Sequence, residues 1–302
     1  MEIEKVLSNK FKERFKQDVM FKNVTTFRIG GKIRYFVSVL TQKEVIFLTK
    51  FCKSQKIPFF VLGGGSNLLA SDKGFSGLVI STLKMNKICF EEKNIVKAEC
   101  GAYLSSVVVK SRKKELGGIE WAVGIPGTIG GATLMNAGAF GGQISDFLES
   151  VTFFDGTKTK TLTKNELQFS YRKSSLKDMK NIFIFSVKLR LFKEKCESIN
   201  ENIKVFTQKR LKTQNVGYPS AGSVFKRLPH ITSAEMIDQA NLKGTRVGDA
   251  MVSTVHSGYI VNLGGATCKD VLKLIDFILK SVYNRFVEHM ELEIILIGDK
   301  NE

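Results

Sequence analysis

Histidine and cysteine are scarce in this 302-residue chain, with three of the first and five of the second. His230, His256 and His289 are dispersed and form no HExxH pair, and Cys52, Cys89, Cys100, Cys196 and Cys268 show no CxxC spacing. No metal site is expected from such a set. An odd cysteine count reads as reduced, mostly buried thiols. The N-terminal MEIEKVLSNKFKERFKQD lacks the apolar core of a secretory signal, and no stretch reaches the length that spans a bilayer. A cytoplasmic location without membrane insertion is the expectation. The chain also lacks GxGxxG and GxxxxGK[ST], which disfavours a Rossmann dinucleotide fold and a P-loop enzyme. No internal repeat or low-complexity tract is present.

Acidic residues are outnumbered, 29 against 46 Lys and Arg, for a net charge of +17. Lysine-rich solvation of the surface is the plain explanation. The functional one is an anionic partner. The lysines are scattered and form no tail or single basic helix, so phosphorylated small molecules are favoured over nucleic acid. Hydrophobic content of 43% and charged content of 25% are ordinary for a globular protein. The length allows two or three lobes.

Val6, Leu7, Phe11 and Phe15 among charges predict an amphipathic helix within residues 1–17. Ile33, Tyr35, Val37 and Val39 alternate as in a strand. Thr41–Lys56 reads as a helix with Thr41 at its N-cap and Glu44 completing a capping box. Phe59–Leu62 reads as a strand running into a glycine loop. Leu104–Lys114 reads as a helix. Val151–Phe154, Lys158–Leu162 and Ile182–Leu191 read as strands. Lys193–Thr213, without Gly or Pro, reads as a polar-faced helix and a natural boundary. Beyond it come a loop at 218–227, helices near Ser233–Gln239 and Cys268–Phe286, and strands at Tyr259–Asn262 and Leu292–Ile297. The fold class is α+β.

The run GIPGTIGGATLMNAGAFGG, Gly124–Gly142, holds seven glycines in nineteen residues. Glycine costs backbone entropy and contributes no side chain to packing. Such density is accepted where backbone must approach something closely. A second run, Gly63, Gly64, Gly65, Ser66 and Asn67, follows the Phe59–Leu62 strand. Bare amides suit a phosphate or a flat ring, and two such loops point to a large anionic cofactor.

VLGGGSNLL (61–69), GIPGTIGGATLMNAGAFGG (124–142), SYR (170–172), YPSAGSVFKR (218–227) and VSTVHSGYIVN (252–262) stand in this order at spacings that resemble the UDP-N-acetylenolpyruvoylglucosamine reductase family. The likeness runs from about Thr25 to Gly298. It implies a two-lobe FAD-binding fold of the vanillyl-alcohol-oxidase (PCMH) kind, with a C-terminal α+β substrate domain. The expected segments are 1–24, helical; 25–193, FAD-binding, with lobes at about 25–78 and 79–193; and 194–302, substrate-binding, its last strand returning to the body. The implied activity is that of a UDP-N-acetylmuramate dehydrogenase of peptidoglycan precursor synthesis, hence of cell wall biogenesis, cell shape and division. It takes non-covalent FAD, NADPH as donor and a UDP-sugar substrate.

By the same resemblance, Gly63, Gly64, Gly65, Ser66 and Asn67 hold the FAD pyrophosphate. Gly124, Ile125, Gly127, Thr128, Gly130, Asn136 and Ala137 line the cofactor, with Thr26 to Gly30 nearby. Ser223 matches the proton donor, with Gly222 placing its hydroxyl; a loop serine capping a turn is the plain alternative. Arg172 matches the cation for the developing charge, since a guanidinium pairs a carboxylate bidentately; otherwise it is a surface arginine. Glu293 aligns with the catalytic glutamate. Glu291 lies two residues earlier, on the same face of a strand, and Ile295 departs from the arginine the family usually carries two places after the glutamate. Lys212, Gln214, Lys226 and Arg227 are the candidates for the uridine diphosphate sugar. The absence of a tyrosine from Lys193–Thr213 resembles the shorter of the family's two types. Two other functions fit parts of the sequence: an FAD oxidase of the same fold, and a non-enzymatic polyanion or nucleotide binder. The first expects a covalent flavin link, and the long glycine run holds no His or Cys.

Overall fold

The computed structural model describes residues 2–179, 182–214 and 217–299. Met1 and residues 300–302, which end the expected first and last segments, lie outside the described residues. The chain forms two compact units, neither of them continuous in sequence. One is Met1–Phe15, Phe36–Gly64 and Leu78–Arg210; the other is Lys16–Tyr35, Gly65–Gly77 and Leu211–Glu302. The expected boundaries at 24/25 and 193/194 followed continuous sequence, whereas packing draws 16–35 and 65–77 to the C-terminal unit. The physical reason is the second unit's core, in which Phe27, Ile29 and Leu69 share one buried cluster with Val252, Val271 and Ile278.

In the first unit the helix Glu2–Phe11 buries Leu7 and Phe11. It ends sooner than the helical segment expected over 1–24: Lys12 turns to φ 49°, and Phe15–Met20 is a strand. The helix Gln42–Ser54 follows Thr41, whose hydroxyl accepts the Glu44 N–H at 3.3 Å. The Glu44 carboxylate accepts the Leu40 N–H at 2.7 Å and both prongs of Arg14 at 2.8 Å. Burial pushes Glu44 up, but Arg14 and the backbone donors outweigh it and hold the carboxyl below its usual range. Phe59–Leu62 pairs in parallel with Leu78–Ser81. An antiparallel five-stranded sheet runs in the order Thr159–Thr163, Leu148–Phe154, Phe183–Arg190, Ile95–Glu99, Ile88–Glu91. Phe154 and Phe185 stack at 6.5 Å in the core. The long glycine run is not all loop. It contains the helix Ile129–Leu134, capped by the Thr128 hydroxyl, and a hairpin pairing Gly138–Ala139 with Gly142–Gln143.

In the second unit an antiparallel sheet runs Ser220–Ser223, Tyr259–Asn262, Ala250–Val252, Arg246–Val247. Ser220–Ser223 is thus an edge strand where a loop was expected. The helix Cys268–Phe286 buries Val271, Leu274, Ile275, Ile278 and Val282, one stripe at helical spacing. Its first turn is doubly capped. Thr267 and Asp270 form a capping box, and the Asp72 carboxylate accepts the N–H groups of Cys268 and Lys269 at 2.9 and 3.2 Å. The last strand is shorter than expected, Ile295–Ile297, and pairs in parallel with Leu68–Ala70.

Val287 closes this helix in the left-handed conformation, φ 57° and ψ 31°, and is 72% exposed. A β-branched residue is strained there and glycine is not. Val287→Gly is expected to stabilise the protein by about 1 kcal/mol. A rise in the thermal midpoint checks it, and a fall would show that Val287 contributes packing that its exposure conceals.

Candidate functional site

The glycines explain themselves first by packing. In the first unit, a Cβ added at Gly63 would lie 2.6 Å from the Thr128 hydroxyl oxygen, and one at Gly64 would lie 2.8 Å from the Gly127 Cα. The two glycine runs therefore meet backbone to backbone. Gly130 is buried, donates its N–H to the Cys100 carbonyl at 2.9 Å, and would clash with Cys100 if it carried a side chain. Gly124 would meet the Arg210 side chain at 2.9 Å. Ile125 is half-buried, and Ala137 is held by hydrogen bonds to Ala132 and Ile144. The face left open is elsewhere. At Gly131, in the first turn after Thr128, an added Cβ meets only the Thr128 hydroxyl at 3.7 Å, and at Gly141 it meets nothing within 4 Å. Glycine counting alone did not separate packed from open glycines, and it passed over Gly131.

Arg172 sits in the first unit at the tip of a hairpin that pairs Phe169–Ser170 with Lys173–Ser174. Its Nη2 donates to the Gly138 carbonyl at 2.9 Å, and its guanidinium carbon lies 4.9 Å from the Tyr171 ring centre. Asn136 is buried, and its Nδ2 donates to the Ser170 carbonyl and to Gln143 Oε1, each at 3.1 Å. Its side chain is thus engaged with protein where a cofactor contact was expected.

In the second unit Ser223 owes its placement to a β-bulge. Ser220 opposes Val261 and Ser223 opposes Tyr259, so Ala221 and Gly222 together face one residue. Gly222 takes φ 78° with open space beside it, the conformation such a bulge demands. The Ser223 hydroxyl makes no hydrogen bond among the described residues. Glu293 lies alongside: its N–H donates to the Val224 carbonyl at 2.8 Å, and Phe225 bridges Leu292. Asn67 grips the same stretch, its Nδ2 donating to the Glu293 carbonyl at 3.0 Å and its carbonyl accepting the Ile295 N–H at 2.9 Å. Gly65 packs against Val24 and Thr25 and accepts the Thr26 N–H at 3.1 Å. Ser66 is half-buried.

Glu291 and Glu293 flank the antiparallel bridge between Leu292 and Phe225 and differ in exposure and partners. The regular strand begins only at Ile295. The Glu291 side chain is 75% exposed and paired with Lys226 at 2.6 Å, which holds its carboxyl below the usual range, while Glu293 is half-buried. Lys226 is thereby occupied by Glu291. Arg227 and Lys212 are exposed, and Gln214 lines a cavity. That cavity, of about 1070 Å³, lies within the second unit among Lys22, Thr26, Arg28, Gln214, Tyr218 and Pro219. Its described lining carries two cations and no carboxylate. Arg28 is held at φ 55° by the buried Asn262, whose Nδ2 donates to the carbonyls of Phe27 and Arg28 at 3.1 and 3.3 Å. The Thr26 hydroxyl donates to the Ser220 carbonyl at 2.8 Å. Lys22 was not among the expected ligand residues, and Arg28 was expected only within the Thr26–Gly30 stretch near the cofactor, because single cations in so basic a chain carry no signal.

Burial pushes the His256 imidazole below its usual pKa, and its Nδ1 accepts the Gly258 N–H at 3.2 Å. It is a neutral ring 4.5 Å from that of Tyr259. No group of three or more His, Cys, Asp or Glu side chains among the described residues is arranged to hold a metal ion. No described helix is long and apolar enough to cross a membrane.

Residues 33–162 match the FAD binding domain family, and residues 214–297 match the UDP-N-acetylenolpyruvoylglucosamine reductase C-terminal domain. The chain is 42% identical over 302 residues to the UDP-N-acetylenolpyruvoylglucosamine reductase of Caldicellulosiruptor bescii, covering 99% of this chain and 95% of that one. With the Clostridium novyi enzyme of the same name the identity is 40% over 293 residues, covering 96% and 94%. The crystal structure of the Thermus caldophilus enzyme superposes with a TM-score of 0.78 at 34% identity, covering 92% of this chain and 97% of that one.

Packed and open glycines predict different losses. Gly64→Ala forces a methyl into the Gly127 backbone and is expected to cost about 1–3 kcal/mol even in flavin-free protein. Gly131→Ala adds a methyl to an open helical position and is expected to keep or raise stability by up to about 1 kcal/mol, yet to lose flavin. Thermal midpoints of the flavin-free proteins and absorbance of the reconstituted ones separate the two. A Gly131→Ala protein with a full flavin complement removes this turn from the cofactor surface.

Proposed function

Because the chain belongs to the UDP-N-acetylenolpyruvoylglucosamine reductase family, we propose roles for its residues in the reaction that this membership assigns. The protein is an FAD-dependent enzyme that uses NADPH to reduce UDP-N-acetylglucosamine enolpyruvate to UDP-N-acetylmuramate in peptidoglycan precursor synthesis. NADPH and a nucleotide sugar as reactants support a cytoplasmic location, with effects on cell shape and division following from the wall.

The residues present fit the cofactor. Gly131 and Gly141 leave open faces that a side chain would fill, and the close approach of Gly64 to Gly127 brings the two glycine-rich backbones together, where bare amides suit a pyrophosphate. Ser66, Gly124, Ile125, Thr128 and Ala137 border the same two runs. Gly65, Gly130 and Asn67 are proposed as supports of the surface, since their contacts are with protein, while the Asn136 side chain is proposed to face the Ser170 hairpin and not the cofactor. When bound, FAD supplies the hydride that it has taken from NADPH. A covalent link of the oxidase kind is disfavoured: Cys100, packed against Gly130, is buried and its thiol is pushed up to about 12, so no thiolate is available there.

Hydride arriving at the terminal vinyl carbon leaves an electron pair on the adjacent carbon, conjugated with the substrate carboxylate. Arg172 is proposed to pair with that carboxylate and counter the developing charge. Ser223 donates its hydroxyl proton to the adjacent carbon, completing the lactyl ether, and regains a proton from solvent. Glu293 is the polarising partner. The observation that carries these roles is the bulge at Ala221 and Gly222, which sets Ser223 beside backbone that Val224 and Asn67 pin at Glu293. Arg28, Lys22 and Gln214 are proposed to receive the phosphates of the nucleotide. Lys212 and Arg227 remain candidates at the periphery.

Ser223→Ala is expected to leave reduction by NADPH within about threefold of normal and to slow reoxidation by the enolpyruvyl substrate by about 10²–10⁴. Stopped-flow absorbance separates the steps, and equal slowing of both would reject Ser223 as a dedicated acid. Glu293→Gln should lower turnover by about 10²–10⁴, and Glu291→Gln by no more than about threefold. A larger loss at Glu291 would transfer the role. Arg28→Gln should raise the KM for the nucleotide sugar about tenfold, and an unchanged KM would take the cavity out of phosphate recognition.

A further inference from the structure

Two non-glycine residues in the left-handed region stand close together in the first unit, Asn136 at φ 42° and Arg172 at φ 55°. Arg172 occupies the second position of a two-residue hairpin turn, where positive φ ordinarily calls for Gly or Asn. An arginine persists there only if its surroundings over-determine it.

Three ties do so. The hydroxyl of the buried Ser174 donates to the Leu134 carbonyl at 2.7 Å, Asn136 Nδ2 donates to the Ser170 carbonyl at 3.1 Å, and Arg172 Nη2 donates to the Gly138 carbonyl at 2.9 Å. The hairpin is thus laced to alternate residues of the glycine run, with Asn136 at the centre. The Asn136 amide has one orientation that satisfies it. Ser170 offers a carbonyl, which only accepts, and the backbone N–H of Ser145 donates to Asn136 Oδ1 at 3.1 Å. The second amide hydrogen goes to Gln143, which Asp146 fixes in turn at 3.1 Å. Both amide hydrogens have protein acceptors and the residue is 1% exposed.

We propose that Asn136 is a positioning residue for Arg172: its side-chain amide fixes the turn that presents the guanidinium to the substrate carboxylate. This rests on the assignment of Arg172 to that carboxylate. Asn136→Asp is nearly isosteric but removes both donors and sets an anion against the Ser170 carbonyl, so the turn loses its central tie while Arg172 is retained.

The test uses FAD-loaded enzyme and two readouts. Binding of UDP-N-acetylmuramate, followed through the flavin absorbance, is expected to weaken about 10–100-fold in Asn136→Asp, the size set by misplacing a group by about an ångström. Reduction by NADPH is expected to stay within about threefold. In an Arg172→Lys background, Asn136→Asp should add less than about twofold to the loss, as members of one unit do. Losses that multiply, or a fall in both steps together, would overturn the proposal. Unchanged binding in Arg172→Lys alone would overturn the carboxylate assignment and the purpose given to Asn136 with it. If Asn136→Asp does not fold, Gln143→Leu removes one partner of the same amide, and the same selective loss is expected at about 3–10-fold; its absence would count against the proposal.

Discussion

The separation of the Gly64 and Gly127 backbones, too small for a methyl group, with the Thr128 hydroxyl set equally tight against Gly63, is the constraint on which the first unit's site depends. Backbone at that distance cannot slide without collision, so the register of one loop fixes the other. Thr128 is then in place to cap Ile129–Leu134, and that helix delivers Asn136 and the following hairpin at a fixed distance. Position is transmitted along rigid, fully bonded backbone to the turn that carries Arg172.

The second unit solves the same problem with asparagine. Asn67 brackets Glu293 and Ile295, and Asn262 clasps the carbonyls of Phe27 and Arg28 while accepting the N–H groups of Gly264 and Ala266. Each carboxamide supplies donors and an acceptor at once, so one buried side chain joins segments that carry opposite needs. The excess of positive charge acts differently. Many lysines are neutralised locally, as Lys226 is by Glu291, and such exposed pairs contribute little to stability. What distinguishes Lys22 and Arg28 is a common cavity without a described carboxylate to compete for them.

Much of this was legible in the residues. Phe59–Leu62, Ser233–Gln239, Tyr259–Asn262 and Cys268–Phe286 stand where periodicity and capping put them, because each carries its own signal within a few residues. The family likeness carried the FAD fold and the reaction. The helix inside the glycine run was hidden because glycine opposes helix on propensity, and Thr128 supplied the cap that overrode it. The Ser223 bulge was hidden because a bulge is a property of two strands, and only one can be read at a time. The ion pair of Glu291 with Lys226 was hidden for a related reason, since its two members are distant in sequence.

The discontinuity of the second unit sets a schedule for the growing chain. Phe27, Ile29 and Leu69 leave the ribosome early, yet the partners that bury them, from Ala221 to Ile294, come last. Contacts of such sequence separation close slowly. Through most of translation these apolar side chains are bare, and the nascent chain offers a sticky surface to holdase chaperones and to neighbouring nascent chains. A premature stop after Arg210 leaves them permanently without the partners that bury them.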